Sequence, residues 1–330
     1  MTGFVGSGRP RLTIKPACFI MTAPVGAVRE PPLPTTLHSF KSDNIEFMKT
    51  IFLTFFACFI CICGQAADKV SYTEADRVVF DRYVSEMKAN KSLPTGELMV
   101  KTARFFLGTP YVAATLEMEP ERLVVNLREM DCMTLVENVV ALTRTIQSEN
   151  PSFETFCKNL QALRYRNGEI HDYTDRLHYT TDWIFENQRK GIVKDVTSAT
   201  GGVSLPVNVS FMSTHPDSYK PLKENPELTA RIAAKEKEIN ARPYYYIPEA
   251  EINRNATGIK DGDIVCFVTT IKGLDISHVG VVCRVGDKLT FIHASTTQKK
   301  VIVNEAPLQE YVESIKRNSG IMIVRPQMSC

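Results

Sequence analysis

Cys132 lies at the first turn of a predicted helix, one of the few positions that favour a reactive thiol. A wide apolar stripe follows it, which predicts a helix buried in the middle of the fold. The residues of this stripe are Leu135, Val136, Val139, Val140, Leu142 and Ile146. The unpaired N–H groups and the dipole at a helix start favour a thiolate, and the same N–H groups can bind a developing oxyanion. Most free cysteines are instead small buried apolar residues, and the position of Cys132 alone leaves both interpretations open.

Two histidines, His278 and His293, lie on adjacent predicted strands joined by a turn at Gly286-Asp287. With the turn centred there, Gly280 faces His293, and His278 shares the face of Gly280 because side chains alternate along a strand. The two imidazoles are then diagonal neighbours, about 7 Å apart at the backbone, and can act as a base and the residue that orients it. Two histidines without a catalytic role on a half-exposed sheet explain the same pattern.

The elements that must position these residues fall into helices first and strands later. Apolar spacing and capping residues predict helices that begin near Thr73, Glu97, Asp131, Ser152, Arg176 and Asn225. Short β-branched runs predict an antiparallel meander over 263–268, 278–285, 289–294, 301–303 and 321–324. This order predicts an α+β fold, with one catalytic domain over 67–330 and a large helical insertion at about 150–245 between the cysteine and the histidines.

Residues 48–66 have the composition of a secretory signal peptide. Met48 and Lys49 precede an apolar stretch of about a dozen residues and then small residues. The stretch is shorter than the roughly 20 residues of a membrane span, so we expect export to the periplasm or the extracellular space without a stable membrane anchor. Residues 1–47 are expected to be an upstream extension that is not in the mature protein. A buried strand or an uncleaved anchor is the alternative.

The charge of the chain is nearly balanced, with 39 basic and 37 acidic side chains, and no basic run is long enough to neutralise many phosphates. Nucleic acid is therefore not an expected partner, and the sequence does not indicate an oligomeric state. Five cysteines follow residue 66, namely Cys132, Cys157, Cys266, Cys283 and Cys330. An odd number cannot pair completely within the chain, so at least one thiol is free or pairs with another molecule.

Four short motifs occur in order along the chain. They are Leu107-Gly108-Thr109-Pro110-Tyr111, Asp131-Cys132, Ser277-His278-Val279-Gly280-Val281-Val282 and Phe291-Ile292-His293-Ala294-Ser295. Together they resemble the motifs of the NlpC-type cell-wall cysteine peptidases and amidases, which have a papain-like fold. Two features depart from the general family: Met133-Thr134-Leu135-Val136-Glu137 replaces the usual Ser-Gly continuation, and about 145 residues separate Cys132 from His278. Over roughly residues 70–326, these departures resemble the N-acetylmuramoyl-L-alanine amidase-like branch.

The resemblance implies hydrolysis of the amide between the lactyl group of N-acetylmuramic acid and L-alanine in peptidoglycan fragments (muropeptides), with a preference for the 1,6-anhydro form. Cys132 is then the nucleophile, His278 the general base and His293 the residue that orients the base. The backbone N–H of Cys132 and the hydroxyl of Tyr111 are expected to bind the oxyanion. No metal and no cofactor are required.

Further substrate contacts are expected beside the catalytic motifs and in the insertion. The candidates are Tyr111, Asp131, Ser277, Arg176, His178, Asp182 and Trp183. On a helix, Trp183 can stack on a sugar ring and Arg176 can hold a peptide carboxylate through two parallel hydrogen bonds. Equally, Trp183 is a core residue and the charged residues form a solvated face.

Two other functions fit the same residues. An endopeptidase of the same superfamily cuts between D-glutamate and the diamino acid, with Asp131 and Tyr111 holding a free N-terminal amine. A non-catalytic peptidoglycan-binding module keeps the fold and binds without product, although the intact Cys132, His278 and His293 argue against it.

Overall fold

The computed structural model describes residues 70–327. The predicted extension over 1–47 and the predicted signal peptide over 48–66 lie outside the described residues, as does Cys330. Within 70–327, no helix is both long enough and apolar enough to span a bilayer.

Four helices surround the Cys132 motif, and a short parallel pair of strands, β1 (Val70–Ser71) and β2 (Leu123–Val124), lies beside them. The helices are α1 (Glu74–Met87), α2 (Thr95–Phe105), α3 (Cys132–Gln147) and α4 (Phe153–Arg164). The predicted starts at Thr73 and Ser152 are confirmed, because the Asp76 carboxylate accepts from Thr73 and the Ser152 hydroxyl accepts from the N–H of Thr155. The helix predicted over Glu97–Leu107 instead runs from Thr95 to Phe105, ahead of the turn at Gly108, where φ is +86°.

The buried centre of this half is α3, as the apolar stretch predicted. Its side chains pack against α2, α4 and one face of the main sheet. Glu137 of α3 forms a buried ion pair with Arg164 of α4, with 2.6 Å between Glu137 Oε2 and Arg164 Nε. Arg164 also donates to the carbonyl of Val124 over 2.6 Å. This pair fixes α4 against the helix that carries Cys132.

The insertion contains strands as well as helices, so the prediction of a helical insertion is wrong in part. Its elements are α5 (Thr180–Arg189), β3 (Val193–Asp195), β4 (Val203–Leu205), α6 (Phe211–Thr214), α7 (Pro226–Asn240) and β5 (Tyr244–Pro248). The helix predicted from Arg176 begins only at Thr180, because Arg176 is extended (φ −65°, ψ 136°) and forms a β-bridge with Tyr165. The predicted start of α7 at Asn225 is confirmed, since its side chain accepts from the N–H of Leu228.

The remaining strands form the antiparallel sheet that carries both histidines. They are β6 (Ile264–Thr269), β7 (Ile276–Val285), β8 (Lys288–Ser295), β9 (Lys300–Val303) and β10 (Asn318–Pro326). The predicted hairpin is confirmed, because Val285 pairs with Lys288 and Val281 with Ile292. Strands β6 to β9 form the predicted meander, but β10 pairs with β6, since α8 (Leu308–Glu313) returns the chain to the other end of the meander.

Different cores cover the two faces of this sheet. One face, with Val279, Val281 and Ile292, belongs to the larger core that contains α3. The opposite face, with Phe267 and Phe291, packs against Leu308 and Val312 of α8. Side chains alternate along a strand, so residues two apart share a face. His278 is two residues from Gly280 and His293 is two residues from Phe291, and both histidines therefore lie on the face that packs against α8.

Candidate active site

Cys132 is the first residue of α3, and its neighbour Asp131 caps the helix. The Asp131 carboxylate accepts from the backbone N–H of Thr134 over 2.8 Å, and the Thr134 hydroxyl accepts from the N–H of Asp131 over 2.9 Å. This reciprocal box places Cys132 in the first turn, at the positive end of the helix dipole. The Cys132 side chain is 1% exposed. Asp131, predicted to touch substrate, thus has a capping role in the fold.

The two histidines are hydrogen-bonded to each other. His278 Nε2 lies 2.7 Å from His293 Nδ1, and the rings are nearly perpendicular, at 84° with centroids 4.9 Å apart. Gly280 makes this contact possible, because a Cβ there would lie 2.9 Å from the carbonyl oxygen of Ile292 and 2.8 Å from the ring of Phe291. The hairpin register therefore brings the imidazoles together as diagonal neighbours.

Aromatic rings surround the histidine pair, and burial keeps both imidazoles uncharged. The ring of His278 stacks on Phe267 at 5.8 Å, and the ring of His293 lies 4.7 Å from that of Phe291. Burial lowers the pKa of His278 to about 4. Burial, and after it the neighbouring His278, lowers the pKa of His293 to about 2. Both imidazoles are thus neutral near pH 7, and within the described part of the chain His293 Nε2 is buried without a hydrogen-bond partner.

Tyr111 connects the Cys132 segment to the strands. Its backbone bridges Met130, two residues before the cysteine, and its N–H donates over 2.9 Å to the carbonyl of Lys299 in the turn between β8 and β9. The N–H of Val112 adds a 3.2 Å hydrogen bond to Met130. Tyr111 is half-buried at this junction.

Tyr311 of α8 is a residue of the site that the sequence analysis missed. Its ring centroid lies 4.8 Å from that of Phe291 and 6.0 Å from that of His293. Burial raises the pKa of Tyr311, and the Cys132 thiol nearby adds to this effect, so its hydroxyl is neutral and lies within electrostatic reach of the sulfur. The available signal was the helical spacing of Leu308, Tyr311 and Val312, which faces the sheet.

Ser277 and the strand leading to it connect the insertion to the site. The Ser277 hydroxyl donates to Asn318 Oδ1 over 2.9 Å, at a bulge where the pairing of β6 and β7 shifts by one residue. Just before it, Asp275 accepts from the backbone N–H and the hydroxyl of Thr181, over 2.7 and 2.8 Å. The start of α5 is therefore fixed to the segment that precedes His278.

The predicted substrate residues of the insertion have partners inside the protein. Trp183 is 1% exposed and belongs to the core, so the prediction that its ring stacks on a sugar is corrected. The guanidinium of Arg176 donates to the carboxylate of Glu121, over 3.0 and 2.7 Å, and to that of Glu117 over 2.8 Å. Its N–H groups are therefore not available to hold a peptide carboxylate through two parallel hydrogen bonds.

Asp182 and His178 are likewise engaged. The Asp182 carboxylate bonds to Arg166 and, over 2.7 Å, to Arg242. His178 Nε2 donates over 2.8 Å to the carbonyl of Tyr173. Burial, and then the charge of Arg176, lowers the pKa of His178 to about 3. Across residues 70–327, no three His, Cys, Asp or Glu side chains are grouped closely enough to hold a metal ion.

Comparison with known proteins gives the family of this chain. The AmiA-like family, described as N-acetylmuramoyl-L-alanine amidase-like, matches residues 101–321. A crystal structure of an N-acetylmuramoyl-L-alanine amidase from Bacteroides uniformis is 39% identical, with a TM-score of 0.68 over 71% of this chain and 99% of that chain. A proposed xylanase from Bacteroides fragilis is 37% identical, with a TM-score of 0.66 over 68% of this chain and 99% of that one.

A more distant structure, from Legionella pneumophila, is 22% identical with a TM-score of 0.58 over 77% of this chain and 96% of its own, and it shares the fold. No protein of the curated set compared with the chain matches it. Fold and similarity together define an α+β hydrolase with an antiparallel sheet. The chain belongs to the AmiA-like family of N-acetylmuramoyl-L-alanine amidase-like proteins.

Proposed function

We propose that this protein hydrolyses the amide between N-acetylmuramic acid and L-alanine in muropeptides, preferentially in their 1,6-anhydro form, by a thiol mechanism. Cys132 is the nucleophile, His278 the base and His293 the residue that orients the base. The observation that carries the proposal is the 2.7 Å hydrogen bond from His278 to His293 in a protein of the amidase-like family. A neutral imidazole can accept the proton of a thiol, and a second imidazole hydrogen-bonded to it can hold the ring in place.

The proposed role of His278 as base, together with the hydrogen bond, assigns the protons on both rings. If His278 is to accept the thiol proton, its Nδ1 must carry a lone pair, so its proton is on Nε2 and is donated to His293 Nδ1. His293 then carries its own proton on Nε2. The reverse arrangement places a proton on His278 Nδ1, and that ring cannot act as a base towards the cysteine.

The reaction follows in two steps. His278 Nδ1 takes the Cys132 proton, the sulfur adds to the lactyl carbonyl, and collapse of the tetrahedral intermediate breaks the C–N bond as His278 protonates the departing amine of L-alanine. Water then gives its proton to His278 and its oxygen to the thioester, releasing the lactyl carboxylate and restoring the thiol. In both steps the positive charge on His278 is shared with the acceptor nitrogen of His293.

The oxyanion is stabilised by the N–H of Cys132 at the start of α3 and by the hydroxyl of Tyr111, whose backbone is tied to Met130. We assign the hydroxyl of Tyr311 as a third donor, towards the sulfur or the oxyanion, because its ring lies beside that of His293 and burial keeps the hydroxyl protonated. Asp131 and Ser277 support this arrangement by capping α3 and by holding the bulge beside His278.

Two competing functions have less support. The endopeptidase needs the Asp131 carboxylate for a free amine, but Oδ1 of that carboxylate already accepts from the N–H and the hydroxyl of Thr134, which leaves only Oδ2 for an amine. A xylanase activity, suggested by the name of one relative, needs two carboxyl groups about 5–10 Å apart at the scissile bond, whereas the histidine pair is surrounded by Phe267, Phe291 and Tyr311.

Digestion of defined muropeptides, followed by mass spectrometry, tests the proposal. The expected products are the free peptide beginning with L-alanine and the peptide-free sugar, formed faster from the 1,6-anhydro substrate than from the reducing one. The Cys132→Ala variant is the matched negative control. Cleavage after D-glutamate supports the endopeptidase instead, and binding without any product supports the non-catalytic module.

The proposed substrate lies in the cell wall, so we propose that the protein acts in the periplasm or outside the cell after removal of residues 48–66. N-terminal sequencing of the native protein is expected to give a start near Ala67. A native chain that begins at Met1 or Thr2 contradicts this proposal.

A further inference from the structure

A small cavity lies in the insertion. Its charged and polar lining residues are Arg166, Arg176, His178, Asp182 and Lys235, and the rest of the lining comes from Tyr179 and apolar residues of α6 and α7. Its volume is about 10 Å³, close to the space that one water molecule needs. It therefore fits a single oxygen atom of a ligand whose remaining atoms stay outside.

The charges around this cavity are compensated except at Lys235. Asp182 is paired with Arg166 and Arg242, and Arg166 also bonds to Glu186 over 2.9 Å. Lys235 is half-buried and has no ion pair or hydrogen bond among residues 70–327. Asp175, Asp182 and Glu238 act on it only at longer range, and burial followed by the charge of Arg166 lowers the pKa of Lys235.

A second donor at the cavity also has no partner. The Nε of Arg166 is buried and makes no hydrogen bond within the described residues, although the two other nitrogens of its guanidinium bond to carboxylates. A buried donor without a partner is costly, and the half-buried Lys235 on the same cavity also has no hydrogen-bond or ion-pair partner among residues 70–327. The two cationic side chains together favour an acceptor at this cavity. His178 does not oppose an anion there, because its lowered pKa keeps it neutral.

The position of the cavity relates it to the catalytic strand. Tyr179, in its wall, is two residues from Thr181, which is bonded through its N–H and hydroxyl to Asp275. Asp275 is three residues before His278, a distance of about 10 Å along an extended chain. The wall of the cavity is therefore connected through Thr181 and Asp275 to the strand that carries His278.

We infer that Lys235 and Arg166 form a receptor for one carboxylate of the stem peptide, and that this contact selects substrates carrying a free acid at that position. The inference rests on the proposed function, since it takes the ligand to be the peptide of a muropeptide. A carboxylate oxygen has the size of the cavity, accepts from both donors and supplies the charge that Lys235 lacks. Of the basic residues in the insertion, Lys235 is the anion contact and Arg176 is structural.

The test measures binding with the chemistry switched off. In the full chain with Cys132→Ala, calorimetry compares the peptide L-alanyl-D-glutamyl-diaminopimelic acid with versions in which each carboxylate in turn is a primary amide. One amide is expected to bind at least about tenfold more weakly than the acid, the effect of losing one charge-assisted contact. Lys235→Gln should abolish this preference, whereas Lys237→Gln, at an exposed position of the same helix, should keep it.

A melting measurement separates recognition from structure. Because Lys235 has no partner, Lys235→Gln is expected to melt at or above the parent temperature. Equal affinity of the parent for the acid and every amide overturns the inference, as does a Lys235→Gln protein that keeps the preference or melts well below the parent. Failure of the proposed function has a different signature, namely no muropeptide hydrolysis by the protein with intact Cys132, whatever the peptide affinities are.

Discussion

Replacing His293 by asparagine, glutamine and alanine tests which nitrogen of this ring supports the base. His278 Nε2 is bonded to His293 Nδ1 and not to Nε2. The side-chain oxygen of asparagine occupies nearly the position of Nδ1, whereas the amide of glutamine is one carbon longer and lies near the position of Nε2. His293→Asn should therefore keep the acceptor and His293→Gln should lose it.

The size of the effect follows from the charge that His278 gains when it takes the thiol proton. A hydrogen bond to a charged group contributes about 1.5–3 kcal/mol, and each 1.36 kcal/mol of transition-state stabilisation is tenfold in rate. His293→Ala should thus lower kcat/KM by roughly 10- to 150-fold, and His293→Gln by a similar factor. His293→Asn should lose less than about tenfold.

The assay is initial-rate hydrolysis of an anhydro-muropeptide, with His278→Ala and Cys132→Ala as variants that lose nearly all turnover. Melting temperatures close to the parent confirm that the losses are chemical. If glutamine restores more activity than asparagine, the assignment of Nδ1 as acceptor is wrong. If His293→Ala keeps parental kcat/KM, this residue does not orient the base.

Four further outcomes are expected. Iodoacetamide near pH 7 should label Cys132 before the other three described cysteines, because burial raises the pKa of Cys157 and Cys283 to about 11 and also raises that of Cys266. Equal labelling rates by peptide mass mapping contradict an activated thiol. Because burial lowers the pKa of the two site histidines to about 4 and about 2, from about 6.5 unfolded, the unfolded chain binds more protons below pH 6.5. The free energy of unfolding should then fall as the pH drops from 6.5 towards 4, by up to about 1.4 kcal/mol per pH unit for each histidine. A melting temperature that does not change over this pH range contradicts this prediction. Glu137→Ala leaves the buried Arg164 without its ion-pair partner and should lower the free energy of unfolding, measured in urea, by about 3–5 kcal/mol. A decrease under about 1 kcal/mol would show that the pair is solvated. Tyr311→Phe should lower kcat by roughly 10²-fold with an unchanged melting temperature. A kcat equal to that of the parent protein would show that this hydroxyl has no part in the mechanism.

The sequence predicted the relation between the two histidines because local rules determine it. A two-residue turn at Gly286-Asp287 fixes the register of the hairpin, and the period of two along each strand then places both rings on one face. The same rules cannot say which nitrogen faces which, and on the sequence alone glutamine is the natural replacement for His293. The choice of Nδ1 depends on ring rotamers set by packing on Phe267 and Phe291.

The insertion was less predictable because tertiary contacts override local periodicity there. The stretch from Arg176 has helical spacing, yet Arg176 is held extended by its bridge to Tyr165 and by two glutamates more than fifty residues earlier. Trp183 falls on a helix as predicted, but its burial depends on which face that helix turns to the core. Tyr311 was missed for the reverse reason, because apolar spacing does not distinguish a core tyrosine from one beside a thiol.

The hairpin also determines where this chain can change length during evolution. Between Cys132 and His278 the chain has about 145 residues, and the loops among them can lengthen or shorten as long as Thr181 still meets Asp275. Between His278 and His293 a single inserted residue without a compensating bulge would shift every later side chain of β8 to the opposite face, and His293 would face α3. Variation in substrate choice is therefore expected in the long segment, whereas the fourteen residues between the histidines should keep their length wherever this chemistry is retained.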